Sequence, residues 1–274
     1  MSVDLHVHTT ASDGLVSPAG VVRMALDLGL SVIAITDHDS VEGVDDALDG
    51  ARGTSLMVIP GVELSVLGPS GGDAHVLGYL MSHHSPALGV ALARLRDARH
   101  ERAHLMVDRL RSEGHAIDME RVMGHAGTGA VGRVHVARAL VDIGSVPTIE
   151  RAFAELIGRR GPFYVHKQTL DPAEALAAIH AAGGVAVLAH PGVSGEDALI
   201  PLVDAGLDGI EVYHAEHSAS QRQHFASLAN RYGLIATGGS DFHGPGMRSA
   251  SLGAGGCPDT AVGALLERAT IVRP

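Results

Sequence analysis

The segment Ser31-Val-Ile-Ala-Ile-Thr-Asp-His-Asp39 contains the pattern on which the fold depends, an apolar run followed at once by polar side chains. A short apolar run bounded by turn residues predicts a buried β-strand. Six further runs of this kind occur along the chain, at 3–5, 56–60, 74–80, 184–189, 209–213 and 234–237. The sequence therefore predicts a sheet of buried strands that end in polar residues.

Amphipathic stretches with helix start signals separate most of the predicted strands. Ser17-Pro18, Asp171-Pro172 and Pro258-Asp259 each place a capping residue or a proline at a first helical turn. Alternation of strands and helices is typical of βαβ units, whose strands are parallel. With 274 residues, 46% of them hydrophobic, the chain is long enough for one α/β barrel and an insertion.

The alternation of strands and helices stops between 84 and 162. Ser85-Pro86 begins a long Arg-rich helix that is predicted to reach Ser112, and helical patterns follow at 131–142 and 147–157. We predict an all-helical insertion at 84–162 between two barrel segments, 1–83 and 163–274. The insertion carries a net charge of +3 and the remainder −14, an asymmetry typical of a surface that binds anions.

Composition excludes several classes of protein. No apolar run approaches the ~20 residues of a membrane span, and the first motif begins at Asp4, so we expect a cytoplasmic protein. Cys257 is the only cysteine, which excludes an intramolecular disulfide and a cysteine-based zinc cluster. A net charge of −11 argues against binding to long nucleic acids. The 18 histidines leave nitrogen and oxygen ligation of a metal open.

Metal-ligand residue types appear where the predicted strands end. His6 and His8 are two residues apart, so on a strand both imidazoles point to one face and can bind one metal. In a parallel barrel the carboxyl ends of all strands meet at one face. Most other candidates follow a strand, whereas His75 lies near a strand's start; they are Asp13, His38, Glu63, His75, His190, Asp241 and His243. The sequence predicts a metal site at this face.

Five motifs together resemble the PHP (polymerase and histidinol phosphatase) superfamily. They are Asp4-Leu-His-Val-His-Thr-Thr-Ala-Ser-Asp-Gly14, Thr36-Asp-His-Asp39, Gly61-Val-Glu-Leu-Ser65, Ala189-His-Pro191 and Gly239-Ser-Asp-Phe-His243. The resemblance covers the barrel segments and implies a distorted (β/α)7-type barrel that carries a phosphoesterase site. The interrupted layout is similar to bacterial PHP phosphoesterases that act on nucleotides and have a helical insertion over the site.

The resemblance also implies two or three divalent metal ions, which are Zn, Mn or Fe from the ligand chemistry. Glu63 would bridge two of them, and a metal-bridging hydroxide would attack phosphorus without a protein nucleophile. The implied ligand sets are His6, His8, Glu63 and Asp241 for one ion, Glu63, His75 and His190 for a second, and Asp13, His38 and His243 for a third.

Substrate contacts are expected from the insertion and from the point where the chain returns to the barrel. Arg133 and Lys167 are candidates to bind phosphate oxygens remote from the metals, and His135 and His217 are further candidates. Four other polar residues are expected to orient metal ligands, because ligating imidazoles usually donate their second N–H to an acceptor; they are Asp37, Asp39, Glu211 and His214.

The favoured substrate is a small nucleotide, with a nucleoside 3′,5′-bisphosphate ahead of AMP and short oligoribonucleotides. One alternative is histidinol phosphate or another small phosphomonoester. A second is a metalloprotease, because His100-Glu-Arg-Ala-His104 matches H-E-x-x-H. A third is a non-catalytic PHP module, and the complete set of ligand residues argues against it.

Overall fold

A curled β-sheet forms the centre of the molecule. The computed structural model describes residues 2–68, 71–194, 199–246 and 250–272. Within them seven strands form one sheet in chain order. The strands are β1 (Val3–Val7), β2 (Val32–Ile35), β3 (Met57–Leu67), β4 (Asp73–Tyr79), β5 (Val185–Leu188), β6 (Gly209–Glu211) and β7 (Ile235–Thr237). Each coincides with a predicted run, so the α/β prediction is confirmed.

The two edges of the sheet meet. The backbone N–H of Leu5 in β1 donates to the carbonyl of Gly238 at 3.2 Å, and that of His8 donates to the carbonyl of Phe242 at 2.9 Å. Gly239 permits this approach, because a Cβ on it would lie 2.3 Å from the Cβ of His6. The segment after β7 is therefore held directly against β1, which brings their polar residues together.

Strand β4 runs antiparallel to both of its neighbours, so the expectation of an all-parallel sheet is wrong. Strand β3 continues to Leu67, well beyond the predicted 56–60, and pairs with β4 along its second half. Only residues 68–72 connect the two strands. A parallel connection needs a dozen or more residues, so this short link requires a reversal of direction.

Helices surround the sheet. They are α1 (Pro18–Asp27), α2 (Val44–Ala51), α7 (Pro172–Ala181), α8 (Pro191–Ser194), α9 (Leu199–Asp204), α10 (Ala219–Tyr232) and α11 (Asp259–Val272). The predicted start signals are confirmed for α1 and α7, where Ser17 and Asp171 accept the backbone N–H groups of Gly20 and Ala173. These caps satisfy amides that the first turn leaves unpaired.

Every residue from 84 to 162 is described, and none of them is in a strand. The segment contains α3 (Pro86–Ser112), α4 (Met119–Ala126), α5 (Arg133–Asp142), α6 (Ile149–Ala152) and a π-helix (Phe153–Ile157). Helix α4 was not predicted. The first half of α3 packs on the barrel core through Leu88 and Leu95, whereas Met106 and Leu110 belong to a separate helical core.

The helical segment contacts the loop that follows β1 and His8. The backbone N–H of Ala130 donates to the carbonyl of Ala11 at 3.0 Å, and Arg138 Nη2 donates to the carbonyl of Asp13 at 3.3 Å. Both acceptors lie in the loop after β1, so the helices lie beside the predicted metal site. No helix in the described part of the chain is both long and apolar enough to cross a bilayer.

Candidate metal centre

The predicted metal ligands converge at one end of the sheet. Most of them follow parallel strands, whose carboxyl ends lie at the same end of the sheet. His75 lies near the start of β4, but because β4 is antiparallel its start lies at this same end. The reversed strand therefore explains the one candidate that departed from the strand-end pattern.

Glu63 is the centre of the cluster. It is fully buried, and five imidazoles lie close to its two carboxylate oxygens. Oε2 faces one group of nitrogens, which are His6 Nε2 at 3.3 Å, His8 Nε2 at 3.2 Å and His38 Nδ1 at 2.9 Å. Oε1 faces the others, His75 Nδ1 at 2.8 Å and His190 Nε2 at 2.9 Å. Because the two oxygens face different nitrogens, Glu63 is placed to bridge two cations.

Possible ligand atoms lie within 4.8 Å of one another in groups that resemble the implied ligand sets. Among the described residues, these groups at the strand ends are His6, His8, Glu63 and Asp241; His8, Asp13, His38 and His243; and His38, Glu63 and His75. The first group is identical to an implied set. The second adds His8 to the implied set of Asp13, His38 and His243, and the third has His38 in place of His190. His190 contacts the third group, because its Nε2 lies 3.4 Å from His75 Nδ1.

The donor atoms fit a divalent metal. Among the described residues, five buried atoms of the predicted ligands have no hydrogen-bond partner; they are His6 Nε2, His8 Nδ1 and Nε2, His38 Nδ1 and Glu63 Oε2. In the first group, the nitrogens of His6 and His8 lie 3.0–3.4 Å from oxygens of Glu63 and Asp241. A tetrahedral ion bound at 2.0–2.2 Å separates its ligands by about 3.3–3.6 Å. Nitrogen and carboxylate donors suit Zn, Mn or Fe.

The protonation states of Glu63 and His38 also favour cation binding. Burial alone would raise the pKa of Glu63, but His38, His75 and His6 hold it well below its usual value. The carboxylate is therefore ionised. Burial lowers the pKa of His38 to about 4, so this imidazole is neutral near pH 7 and has a lone pair to offer. Both states are those that a metal ligand requires.

Glu211 orients two of the predicted ligands. Its Oε1 lies 3.1 Å from His6 Nδ1, and its Oε2 accepts the backbone N–H of His190 at 2.8 Å. Burial would raise the pKa of Glu211, but His6 and His214 lower it to about 2. The contact with Glu211 fixes the ring of His6 and directs Nε2 toward Glu63.

Asp37 and Asp39 contact other groups than the metal-ligand imidazoles. Asp37 accepts hydrogen bonds from Thr9 and Ser12 and so fixes the loop that carries Asp13. Asp39 Oδ2 accepts from Arg99 Nε at 2.6 Å and from Lys167 Nζ at 3.0 Å. Among the described hydrogen bonds neither carboxylate accepts from a ligand imidazole, so Asp37 can orient a ligand only through its loop, and Asp39 is occupied by Ser65, Arg99 and Lys167.

Backbone strain is concentrated at this end of the sheet. Among the described residues, four that are not glycine have positive φ, and three of them are Asp39 (51°), His190 (28°) and Asp241 (54°). Each follows a different strand. Such conformations cost about 1–3 kcal/mol each and persist at sites where the surrounding contacts enforce them.

The four predicted substrate contacts differ in their burial and in their hydrogen-bond partners. Arg133 is the first residue of α5, and Lys167 is buried and also donates to Ser65. His135 Nδ1 accepts the backbone N–H of Gly132 at 2.9 Å. His217 uses both nitrogens, since Nδ1 donates to Val212 O at 3.0 Å and Nε2 accepts from Gly192 N at 3.2 Å. A substrate role for each of the four stays a prediction.

Sequence reasoning missed Arg99 and Arg102, which are both buried beside Arg133. Arg99 and Arg102 lie one helical turn from Leu95 and Met106, so they belong to the buried face of α3, and this spacing could have predicted that they point inward.

The outer face of α3 carries the H-E-x-x-H residues, and His100, Glu101 and His104 are exposed. In the described part of the chain no ligand group includes these three, which argues against a protease site.

Known proteins with similar sequences or structures carry phosphoesterase names. A 5'-3' exoribonuclease of Haemophilus influenzae is 35% identical over 88% of this chain and 90% of its own. A 3',5'-nucleoside bisphosphate phosphatase of Chromobacterium violaceum is 34% identical over 92% and 90%. A Bifidobacterium adolescentis crystal structure, named for metal-dependent phosphoesterase activity, matches with a TM-score of 0.90 and 33% identity over 97% and 96%.

The PHP domain profile matches residues 4–116, a range that includes His6, His8, His38, Glu63 and His75. The relatives above extend the match to 88–92% of the chain. Full-length similarity and the shared fold agree with the motifs at the strand ends, and we conclude that this chain belongs to the PHP domain family.

Proposed function

We propose that this metal-dependent phosphoesterase removes a phosphate from a small nucleotide, with a nucleoside 3′,5′-bisphosphate as the favoured substrate. The observation that supports the proposal most is a basic cluster directly beside the metal centre. Asp39 follows the ligand His38 and binds Arg99 and Lys167, and Arg99 lines one cavity with Arg133. A substrate with two phosphates has a reacting group for the metals and a second anion for the cations.

The proposed metal ligands are His6, His8, Asp13, His38, Glu63, His75, His190, Asp241 and His243. When bound, divalent ions polarise a phosphoryl oxygen and lower the pKa of a water molecule, so no protein nucleophile is needed. Glu63 would hold neighbouring ions together, and Glu211 would set the tautomer of His6. The carboxylates supply the negative charge that retains the cations beside an anionic substrate.

The helices of 84–162 are proposed to be a cap that binds the part of the substrate remote from the metals. Arg133 in this segment is partly buried, and Arg138 contacts the loop that carries Asp13. Trimming of short oligoribonucleotides is a second candidate activity, because the Haemophilus influenzae relative is named as a 5'-3' exoribonuclease. In both bisphosphate hydrolysis and oligoribonucleotide trimming, the substrate carries a second phosphate that is not cleaved, and a basic side chain is needed to bind it.

A substrate panel tests this proposal. We expect the Mn- or Zn-loaded protein to release phosphate from a nucleoside 3′,5′-bisphosphate with a higher kcat/KM than from AMP or histidinol phosphate. Di- to pentaribonucleotides in the same panel test the trimming activity. A colorimetric assay measures release of phosphate from the monoesters, and chromatography of released mononucleotides measures trimming, with metal-free protein as the control for both. Hydrolysis of histidinol phosphate alone would refute the nucleotide proposal.

Replacing Arg133 by Ala is expected to raise KM for the favoured nucleotide by about tenfold, because a charged hydrogen bond contributes about 1.5–3 kcal/mol. If Arg133 contacts substrate equally in the ground and transition states, kcat stays within about twofold. Steady-state kinetics of wild type and R133A measure both constants. Arg111→Ala is the matched control, since Arg111 is an exposed arginine of α3. An unchanged KM in R133A would exclude this contact.

A further inference from the structure

Two histidines and one aspartate form a cluster on the surface between α2 and the start of α3. Asp45 is in the first turn of α2, and His83 and His84 lie in the turn between β4 and α3. His83 Nε2 lies 2.9 Å from Asp45 Oδ1, and His84 Nε2 lies 3.6 Å from Asp45 Oδ2. Both imidazoles therefore present the same ring nitrogen to one carboxylate.

The spacing of these atoms suits a metal ion better than a hydrogen bond alone. One possible ligand atom from each of the three residues lies within 4.8 Å of the other two. Ligands bound at 2.0–2.2 Å to a tetrahedral ion are about 3.3–3.6 Å apart. The distance of 3.6 Å from His84 to Asp45 matches this separation and is too long for a hydrogen bond. A hydrogen bond therefore explains the contact of His83 with Asp45 but not that of His84.

The turn that carries the two histidines is fixed by backbone hydrogen bonds. The N–H of Ser82 donates to the carbonyl of Ala182 at 2.8 Å, and that of Ser85 donates to the carbonyl of Ser82 at 3.0 Å. Neighbouring residues of a strand point to opposite faces, whereas in this turn the ring centres of His83 and His84 are 4.2 Å apart. Only 14% of the His83 side chain is exposed. The two imidazoles are thus held side by side before a ligand binds, which lowers the entropy cost of binding.

The charge of the cluster also favours a cation. The hydrogen bond from His83 lowers the pKa of Asp45, so the carboxylate is ionised at neutral pH. Among the described residues no Lys or Arg forms an ion pair with Asp45, and Arg96 of α3 binds Glu42 instead. Two imidazole nitrogens and one carboxylate oxygen are the donors that suit zinc and neighbouring transition metals.

The cluster is separate from the metal centre around Glu63. Among the described residues, none of the three belongs to a group of possible ligands at the strand ends. His75 lies near the start of β4, whereas His83 follows the other end of this strand, which is Tyr79. The strand from His75 to Tyr79 spans about 13 Å, at about 3.3 Å a residue. The surface cluster and the metal centre therefore lie toward opposite ends of β4.

We propose that Asp45, His83 and His84 form a further metal site, which binds one divalent transition-metal ion of the zinc class outside the catalytic centre. The three side chains supply two nitrogens and one oxygen, and water completes a tetrahedral set. The ion joins the first turn of α2 to the turn before α3, so it fastens the start of the helical segment to the barrel. The site does not depend on which substrate the enzyme cleaves.

Zinc binding to His84→Gln tests this site. Equilibrium dialysis of the metal-loaded protein against a zinc series, followed by elemental analysis, measures the ions bound per chain. Losing a residue that only orients a ligand weakens metal binding by about 10- to 100-fold, so losing a ligand should raise the Kd of one ion by about tenfold or more. Since 72% of the His84 side chain is exposed, the variant is expected to fold, and Asp45→Asn should reproduce its effect.

His104→Gln is the matched control, because His104 is an exposed histidine of α3 outside every ligand group of the described residues, and it should bind zinc as wild type does. Identical zinc binding by H84Q and wild type would overturn the proposal.

The same substitution in a Glu63→Gln background shows whether the ion belongs to the catalytic centre. Independent sites respond additively, so H84Q should remove the same single ion from E63Q as from wild type. If H84Q has no effect in the E63Q background, the ion belongs to the catalytic centre and the separate site is refuted. Neither measurement uses a substrate, so both remain decisive if the proposed phosphatase activity is not found.

Discussion

Replacing Glu63 by Gln is expected to reduce the bound metal to less than half of the wild-type content and to lower kcat/KM by about 10³-fold or more. Its two oxygens face five imidazoles, so loss of the negative charge weakens the sites on both sides of the bridge. Transition-state stabilisation by metal ions contributes several kcal/mol, and each 1.36 kcal/mol is about tenfold in rate. Gln keeps the size of the side chain, so the effect reports charge rather than packing.

Elemental analysis of the purified proteins measures the metal content, and phosphate release measures the activity. Glu113→Gln is the matched control, because Glu113 is an exposed residue at the end of α3 and should leave both quantities unchanged. Wild-type metal content in E63Q would exclude a bridging role for Glu63. Loss of activity at full metal content would assign Glu63 to a different step.

Replacing Asp39 by Asn is expected to lower the free energy of unfolding by about 3–5 kcal/mol, because removing one partner of a buried ion pair leaves the other charge uncompensated. Asp39 lies 2.6 Å from Arg99 Nε and 3.0 Å from Lys167 Nζ, and all three side chains are buried. The amide of Asn retains one acceptor but not the charge. Urea denaturation of both proteins at pH 7 measures the difference.

The pH dependence provides a second check on Asp39. The folded pKa of Asp39 is lowered, so its stabilising contribution is present above the unfolded value of about 3.9 and is lost as the pH falls below it. The difference between wild type and D39N should therefore be constant from pH 7 to 5 and shrink at lower pH. Asp49→Asn, on the exposed face of α2, should change stability by about 0.5 kcal/mol or less. A similarly small effect for D39N would contradict the ion-pair argument.

Local sequence pattern determined the strands and most of the helices. Period-two spacing turns His6, in β1, and His8, just after it, toward the same oxygen of Glu63. Turn residues bound each apolar run. These features depend on residues that are near each other in the chain, so they can be predicted without the fold. The PHP motifs also predicted a metal-dependent phosphoesterase. Metal ligation needs imidazoles and carboxylates, and few structural roles would place these side chains at so many strand ends.

Only the tertiary structure decided how distant residues pair. The antiparallel direction of β4 places His75 beside Glu63, although His75 lies near the start of its strand and the other candidates follow theirs. Asp39 is 60 residues from Arg99 and 128 from Lys167, and no local pattern predicts which carboxylate a buried cation will find. The packing of α3 against α5 and α7 places Arg99 beside its partner, since burial requires each charge to meet whichever opposite charge the fold brings near. Local periodicity therefore determined the elements and the chemistry, and long-range packing determined the charge pairs beside the metal centre.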